Sequence, residues 1–168
     1  MIDTPSGVTA RAAGLRHDFD RAFAEPVRFD TRSTEDLLAV RIGPQAYAIR
    51  LSEISGLFAD KKITPVPGSH AALCGIAGFR GAIVPVYDLQ TLLGHANAQT
   101  PRWLVIAASA PIALAFEAFE GQLRVTRDAI LPQPPRSEIR SYVREFVRTQ
   151  NFVGPIMHLP SVLDAIKT

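Results

Sequence analysis

Cysteine is almost missing from this 168-residue chain, with Cys74 standing alone. A single thiol cannot close an intramolecular disulfide or supply the paired spacing of a zinc or redox motif, so the chain reads as a cytoplasmic protein. Long apolar runs are missing too, and none approaches the length of a membrane span. The opening MIDTPSGVTARAAG lacks the basic-then-apolar order of a signal peptide, so neither export nor insertion is expected. Nor does one sign of charge dominate: 18 Lys and Arg face 16 Asp and Glu, a net charge of +2. These charges are interspersed, so despite a pI near 9.0 nothing points to nucleic acid.

Enzyme signatures are equally scarce. Gly75, Gly78 and Gly81 lack the Lys-Ser/Thr pair and the following helix of a phosphate loop. His17, His70, His95 and His158 lie far apart, with no metal spacing among them. His17 falls on the polar side of an N-terminal helix but lacks the helical bundle that surrounds a phospho-accepting histidine. Cys74, flanked by Leu73, Gly75 and Ile76, has the surroundings of a buried thiol rather than of a nucleophile. Glu117 and Glu120 sit in a strand-like run and its turn, on a solvated face, with no second carboxylate tied to them. No reaction, metal or cofactor is expected.

What remains is a chain of ordinary hydrophobicity, 47% apolar and 20% charged, long enough to bury a core. Val8, Ala12, Leu15, Phe19 and Phe23 recur at helical spacing and predict an amphipathic helix that Pro26 ends. Its stripe either packs on its own domain or docks on a partner. Asp30 to Asp36 reads as a linker, so residues 1–36 form an appendage and residues 37–168 the main domain.

From Leu37 the texture becomes β. LLAVRI and AYAIR flank a Gly43-Pro44 turn and predict a hairpin. SEISGLF, KKITPVPG and AIVPVYDL follow, the last an edge or bulged strand because of Pro85. LQTLLG has room for a turn or two of helix closed by glycine. RWLVIAAS is nearly continuous in apolar residues, as a strand buried on both faces would be. IALAFEAFEG and QLRV come next, then a proline-rich loop over Asp128 to Ile139, strands at YVREFVRT and PIMHL, and a helix at PSVLDAIK. VYDLQTLLG and IMHLPSVLDAI each place a short strand before a Leu-rich helical turn, which hints at an internal duplication. Short strands punctuated by turn signals indicate an all-β architecture, with small closed barrels preferred because closure removes exposed edges.

One stretch is composed for binding. In GIAGFRG, Gly78 and Gly81 permit unusual backbone angles and close approach, and Arg80 can make bidentate bonds to a carboxylate. Phe79 and Arg80 are also residue types that concentrate binding energy at interfaces. The alternative is that Arg80 only covers the core and reaches a local carboxylate such as Asp88.

These residues carry a resemblance. YAIRLSEISGLF, then ITPVPG, then CGIAGFRGAIVPVYDLQTLLG are similar to the CheW family of bacterial chemotaxis coupling proteins, whose pattern is a tyrosine-led strand, a proline turn, and an N-L-R-G loop before V-P-V-I-D-L. The similarity runs from about Leu37 to Ile166. It implies a mainly β fold of two small five-stranded SH3-like barrels with short helices, no catalytic activity, and an adaptor role. The implied partners are chemoreceptor cytoplasmic tips and the regulatory domain of a CheA-type histidine kinase. Receptor contacts are then expected in a hydrophobic groove between the barrels, and kinase contacts mainly on the first. By motif, Ile54, Phe79, Arg80, Gly81 and Asp88 are the expected protein-binding residues. The chain departs from the pattern at Gly56, where the family commonly has glutamate, and at Gly78-Phe79 in place of Asn-Leu. The alternative expectation is a module of this fold that has lost kinase coupling and serves another complex through its N-terminal helix.

Overall fold

A computed structural model describes residues 33–68, 70–96, 100–133 and 142–167. The expected N-terminal helix and most of the proline-rich loop lie outside them. The chain divides at Ser33, and the fold below is that of the second unit, Thr34–Thr168.

Among the described residues, eleven strands form two sheets. The chain opens with β1 (Thr34–Ile42) and β2 (Gln45–Arg50), then a 3-10 turn at Leu51–Glu53. β3 (Ile54–Ala59), β4 (Leu73–Phe79), β5 (Ala82–Asp88), helix α1 (Leu89–Leu92), β6 (Trp103–Ala107) and β7 (Ala113–Phe116) follow. The last stretch holds β8 (Ala118–Thr126), β9 (Ile130–Pro132), β10 (Val143–Arg148), β11 (Val153–Met157) and helix α2 (Leu159–Lys167). One sheet has the order β8-β1-β2-β11-β10-β9 and the other β3-β6-β7-β5-β4. The six-stranded sheet is thus built from both ends of the described chain, and the five-stranded sheet from its middle.

Alternation explains why so many of these strands are apolar throughout. Side chains of a strand point to opposite faces in turn. On β1, Leu38, Val40 and Ile42 join a layer shared by both sheets, whereas Leu37 enters a smaller cluster with Ala48, Val125, Val147 and Ile156. β7 divides likewise: Leu114 and Phe116 face the shared layer, Ala113 and Ala115 a third cluster with Phe79, Val84, Val86 and Leu104. Each sheet therefore has a core of its own on one face and a common core on the other. Helices α1 and α2 close the common core with Leu89, Leu93, Leu159 and Val162. In the five-stranded sheet, Phe58 on edge strand β3 stacks on Phe79 of edge strand β4 with ring centroids 4.9 Å apart. The sheet curls until its edges meet, as a small barrel does.

The expected β fold in two subdomains is met, with six and five strands rather than five and five; the three-residue β9 is the addition. The Gly43-Pro44 hairpin forms, with Gly43 at φ 59° as a two-residue turn requires. Three details differ from the sequence reading. β1 begins at Thr34, inside the expected linker, because Asp36 pairs with Arg124 across the strands and Glu35 with Arg50. IALAFEAFEG is two strands, since the chain leaves one sheet for the other at Glu117. β5 is interior rather than an edge. β7 pairs only with Val86–Asp88, however, so at Pro85 the strand has a partner on one side alone, where a missing amide hydrogen is tolerated. The bulge lies in the neighbouring β4, between Leu73 and Gly75.

The hint of duplication has a structural counterpart. Each sheet holds one parallel seam, β5 on β7 and β11 on β2, with an antiparallel hairpin on either side. The strand entering each seam runs straight into a helix. Aligned on those helices, residues 83–89 read IVPVYDL and residues 153–159 read VGPIMHL, with Pro85 against Pro155. Asp88 and His158 occupy equivalent capping places. The Asp88 carboxylate accepts from the Gln90 and Thr91 amides at 3.3 and 3.0 Å and from the Thr91 hydroxyl at 2.6 Å. The His158 Nδ1 lies 2.8 Å from the Ser161 hydroxyl and accepts from the Ser161 amide at 3.3 Å.

Two substitutions test this framework. Gly75 has φ 144°, and an added Cβ would lie 2.2 Å from the Thr64 carbonyl oxygen, which itself accepts from the Ile76 amide. Gly75→Ala should cost about 3 kcal/mol in denaturant unfolding, from strain and overpacking together. Asp88→Ala should cost about 1–2 kcal/mol through loss of the cap, and Asp88→Asn clearly less.

Candidate functional site: the β4–β5 turn and its grooves

The expected binding loop GIAGFRG is mostly strand. Residues through Phe79 belong to β4, and only Arg80 and Gly81 form the turn. Phe79 pairs with Ala82 across it, and both turn residues have positive φ, 48° for Arg80 and 85° for Gly81. A two-residue hairpin turn with positive φ at both positions normally takes Asn-Gly or Gly-Gly. Arginine there carries backbone strain of about 1–2 kcal/mol. The turn holds because its flanks are fixed: Phe79, 4% exposed, is anchored in the core on Phe58. Arg80 is exposed and makes no ion pair or hydrogen bond among the described residues.

The other expected site residues are spread. Gly81 is exposed beside Arg80. Asp88 is 3% exposed and spent on capping α1, so Arg80 does not reach it. Phe79 supports the turn from beneath. Ile54 is half-buried in a groove of about 340 Å³ that it shares with Leu38, Leu57 and Phe119. That groove draws on β1 and β8 of one sheet and β3 of the other, so it runs between the two subdomains.

A second groove, of about 440 Å³, lies under the turn and is lined by Phe58, Phe79, Arg80, Val84, Ile106 and the 107–111 loop. Ser55 lines both grooves, which makes them neighbours along β3. Gly56 is the hinge of this arrangement. A Cβ on it would lie 2.7 Å from the Phe58 ring, so the absence of a side chain lets Phe58 fold back towards Phe79. Lys61 sets its ammonium 5.4 Å from the Phe58 ring centre and 5.5 Å from that of Phe79. Phe58, Lys61 and Ser55 were not singled out in the sequence. The signal available was the i, i+2 spacing of Gly56 and Phe58 on one face of a strand, with Lys61-Lys62 beginning three residues after Phe58.

Residues once weighed for chemistry have structural places. Burial pushes the Cys74 thiol above its ordinary value, and the Asp88 carboxylate adds to the effect, so the thiolate is disfavoured. Glu120 pairs with Arg41. Glu53 caps α2 by accepting from the Leu159 amide at 2.9 Å. No helix of the described residues is long and apolar enough to cross a membrane.

The CheW-like domain model matches residues 36–167. The chain is 32% identical over 118 residues to a probable chemotaxis protein CheW of Rhizobium etli, covering 67% of this chain and 74% of that one. It is 28% identical over 138 residues to the chemotaxis protein CheW of Rhizobium meliloti, covering 79% and 89%. In three dimensions it is similar to the scaffolding protein TtCheW of Thermoanaerobacter tengcongensis, with a TM-score of 0.68 at 20% identity over 74% of this chain and 89% of that one. With the fold, the R-G turn and the V-P-V-Y-D-L strand in place, this chain belongs to the CheW family of chemotaxis proteins.

Proposed function

We propose that this chain is a non-enzymatic adaptor that couples chemoreceptor cytoplasmic tips to the regulatory domain of a CheA-type histidine kinase. The observation that carries the reading is Arg80: exposed, held at positive φ, and without an ion pair or hydrogen bond among the described residues, at the lip of an apolar groove. Backbone strain retained at an exposed side chain gathers at binding sites. The groove around Ile54 gives a second contact area, continuous with the first through Ser55. In this reading a receptor tip lies along the Ile54 groove towards the turn, and the kinase domain takes the six-stranded subdomain. Ile54, Arg80 and Gly81 touch partners directly, whereas Phe79 and Asp88 hold the contact surface in shape.

An adaptor of this kind transmits signal only through differential contact. It biases the kinase by binding one receptor or kinase state more tightly than the other, and no step of bond chemistry is needed.

Calorimetric titration of the full chain against a receptor-tip fragment and, separately, the kinase regulatory domain of its own organism tests the reading. At least one should bind saturably at micromolar levels, and Arg80→Glu should weaken that binding about tenfold or more. Absence of binding to both partners at tens of micromolar would falsify the adaptor role. Arg80→Asn should raise unfolding stability by up to about 1 kcal/mol, because asparagine tolerates positive φ. It should at the same time weaken partner binding. A variant that is no more stable would show that Arg80 is not strained.

A further inference from the structure

Among the described residues the chain crosses between its sheets twice, through the 3-10 turn at Leu51–Glu53 and at Glu117. One residue pins the first crossing on both sides. The Glu53 carbonyl accepts from the Ala108 amide at 2.9 Å, and the Glu53 carboxylate accepts from the Leu159 amide, also at 2.9 Å. Ala108 follows β6 of the five-stranded sheet, whereas Leu159 opens α2 directly after β11 of the six-stranded sheet. The turn between these two bonds has no slack. The Ile54 amide donates back to the Leu51 carbonyl, and Leu51 packs on the layer the sheets share.

Most of the first turn of α2 is satisfied from within. Pro160 has no amide hydrogen, and the amides of Ser161 and Val162 donate to the His158 carbonyl at 3.1 and 3.4 Å. The Leu159 amide is the one that draws its acceptor from a residue 106 positions away. Glu53 in turn forms no ion pair among the described residues, so its half-buried carboxylate rests on that amide and on the positive end of the helix. On the opposite side the loop is closed on itself, since Ala107 donates to the Ile112 carbonyl and Ile112 to that of Ala110. Ser55 adds two long bonds to the same segment, reaching the carbonyls of Ile106 and Ala107 at 3.4 and 3.5 Å. The loop and the start of β3 therefore move together or not at all.

Residues 107–111 line the groove under Arg80, and Ile54, the neighbour of Glu53, lines the groove between the subdomains. α2 belongs to the six-stranded side, which takes the kinase domain in the coupling reading. We propose, resting on that reading, that Glu53 is a positioning residue that links the two contact surfaces. Displacement of the 107–112 loop by an occupant of its groove shifts the Glu53 backbone, and the carboxylate carries the shift to the start of α2. Affinity at one surface then depends on occupancy of the other, equally in both directions, because the coupling free energy is shared.

Amide hydrogen exchange, followed by NMR on the full chain, tests the link without any partner. Glu53→Ala removes the carboxylate and leaves the carbonyl that holds Ala108. Exchange at Ala108 should nonetheless rise about tenfold, together with that at Leu159. His158→Ala loosens the same helix start from within and should leave Ala108 protected. Glu53→Gln keeps an acceptor oxygen at the same reach and should hold Ala108 within about threefold of the unmodified protein. Unchanged Ala108 exchange in Glu53→Ala, or an equal rise in His158→Ala, would overturn the inference. The functional readout is titration of a receptor-tip helical hairpin with and without saturating kinase regulatory domain. Tip affinity should change about fivefold or more when the kinase domain is bound, and in Glu53→Ala that change should vanish while each partner alone binds within about twofold of the unmodified protein. Independent binding of the two partners by the unmodified protein would overturn the inference and leave the coupling reading standing. Binding of neither would overturn both.

Discussion

The structure depends on burial of its central strands on both faces. A strand covered on one face alternates apolar with polar residues; one covered on both needs apolar residues throughout. β6 and β7 meet that demand, since Leu104 and Ala113 point into the subdomain's own cluster while Val105 and Leu114 point into the shared layer. Neither sheet can therefore form its full core alone. The six-stranded sheet receives strands from both ends of the described fold and encloses the connection to the other, and the shared layer is where the two are sealed. Burial of apolar surface there, at roughly 25 cal/mol per Å², is the term that binds the subdomains together.

The same constraint shapes the correspondence between IVPVYDL and VGPIMHL. In both, a strand enters a short parallel seam and then turns into a helix that covers the shared layer. A parallel seam of two or three residue pairs is weak in itself. At β11 on β2 it is reinforced by Arg50, which bridges Glu35 on β1 and Glu145 on β10 and so spans the seam from side to side. At β5 on β7 the Asp88 amide donates to the Ala72 carbonyl at 2.8 Å, tying the strand end to the turn before β4. The caps differ as the surroundings do: a buried carboxylate for α1, a half-buried imidazole for α2, with Glu53 brought over to the latter's first turn.

Much of this was legible in the sequence because alternation, turn residues and caps are local. The Gly43-Pro44 hairpin, the two-sided burial of RWLVIAAS and the short helix at LQTLLG all rest on neighbours within a few residues. What failed depended on distant partners. Asp36 and Glu35 read as linker until Arg124 and Arg50 were brought opposite them. Pro85 read as an edge signal because nothing local told that β7 would join only from Val86 onward. The glycines of GIAGFRG read as a loop, yet Gly75 serves a bulge pressed on Thr64 and only Gly81 serves a turn. The site was half legible. Composition marked Arg80, and motif likeness marked Ile54 and Asp88, but composition cannot separate a residue that touches a partner from one that caps a helix underneath.

Gly56 shows how a missing side chain can change the chemistry of a surface. With only hydrogen at that position, Phe58 folds back onto Phe79 and Lys61 settles over both rings. A glutamate in its place would drive Phe58 aside and put a carboxylate at the groove around Ile54. The glycine thus leaves room for the aromatic floor that Phe58 and Phe79 form. Charge left uncompensated at an apolar groove gains little in the free protein, where water solvates it, and gains more once a partner excludes that water.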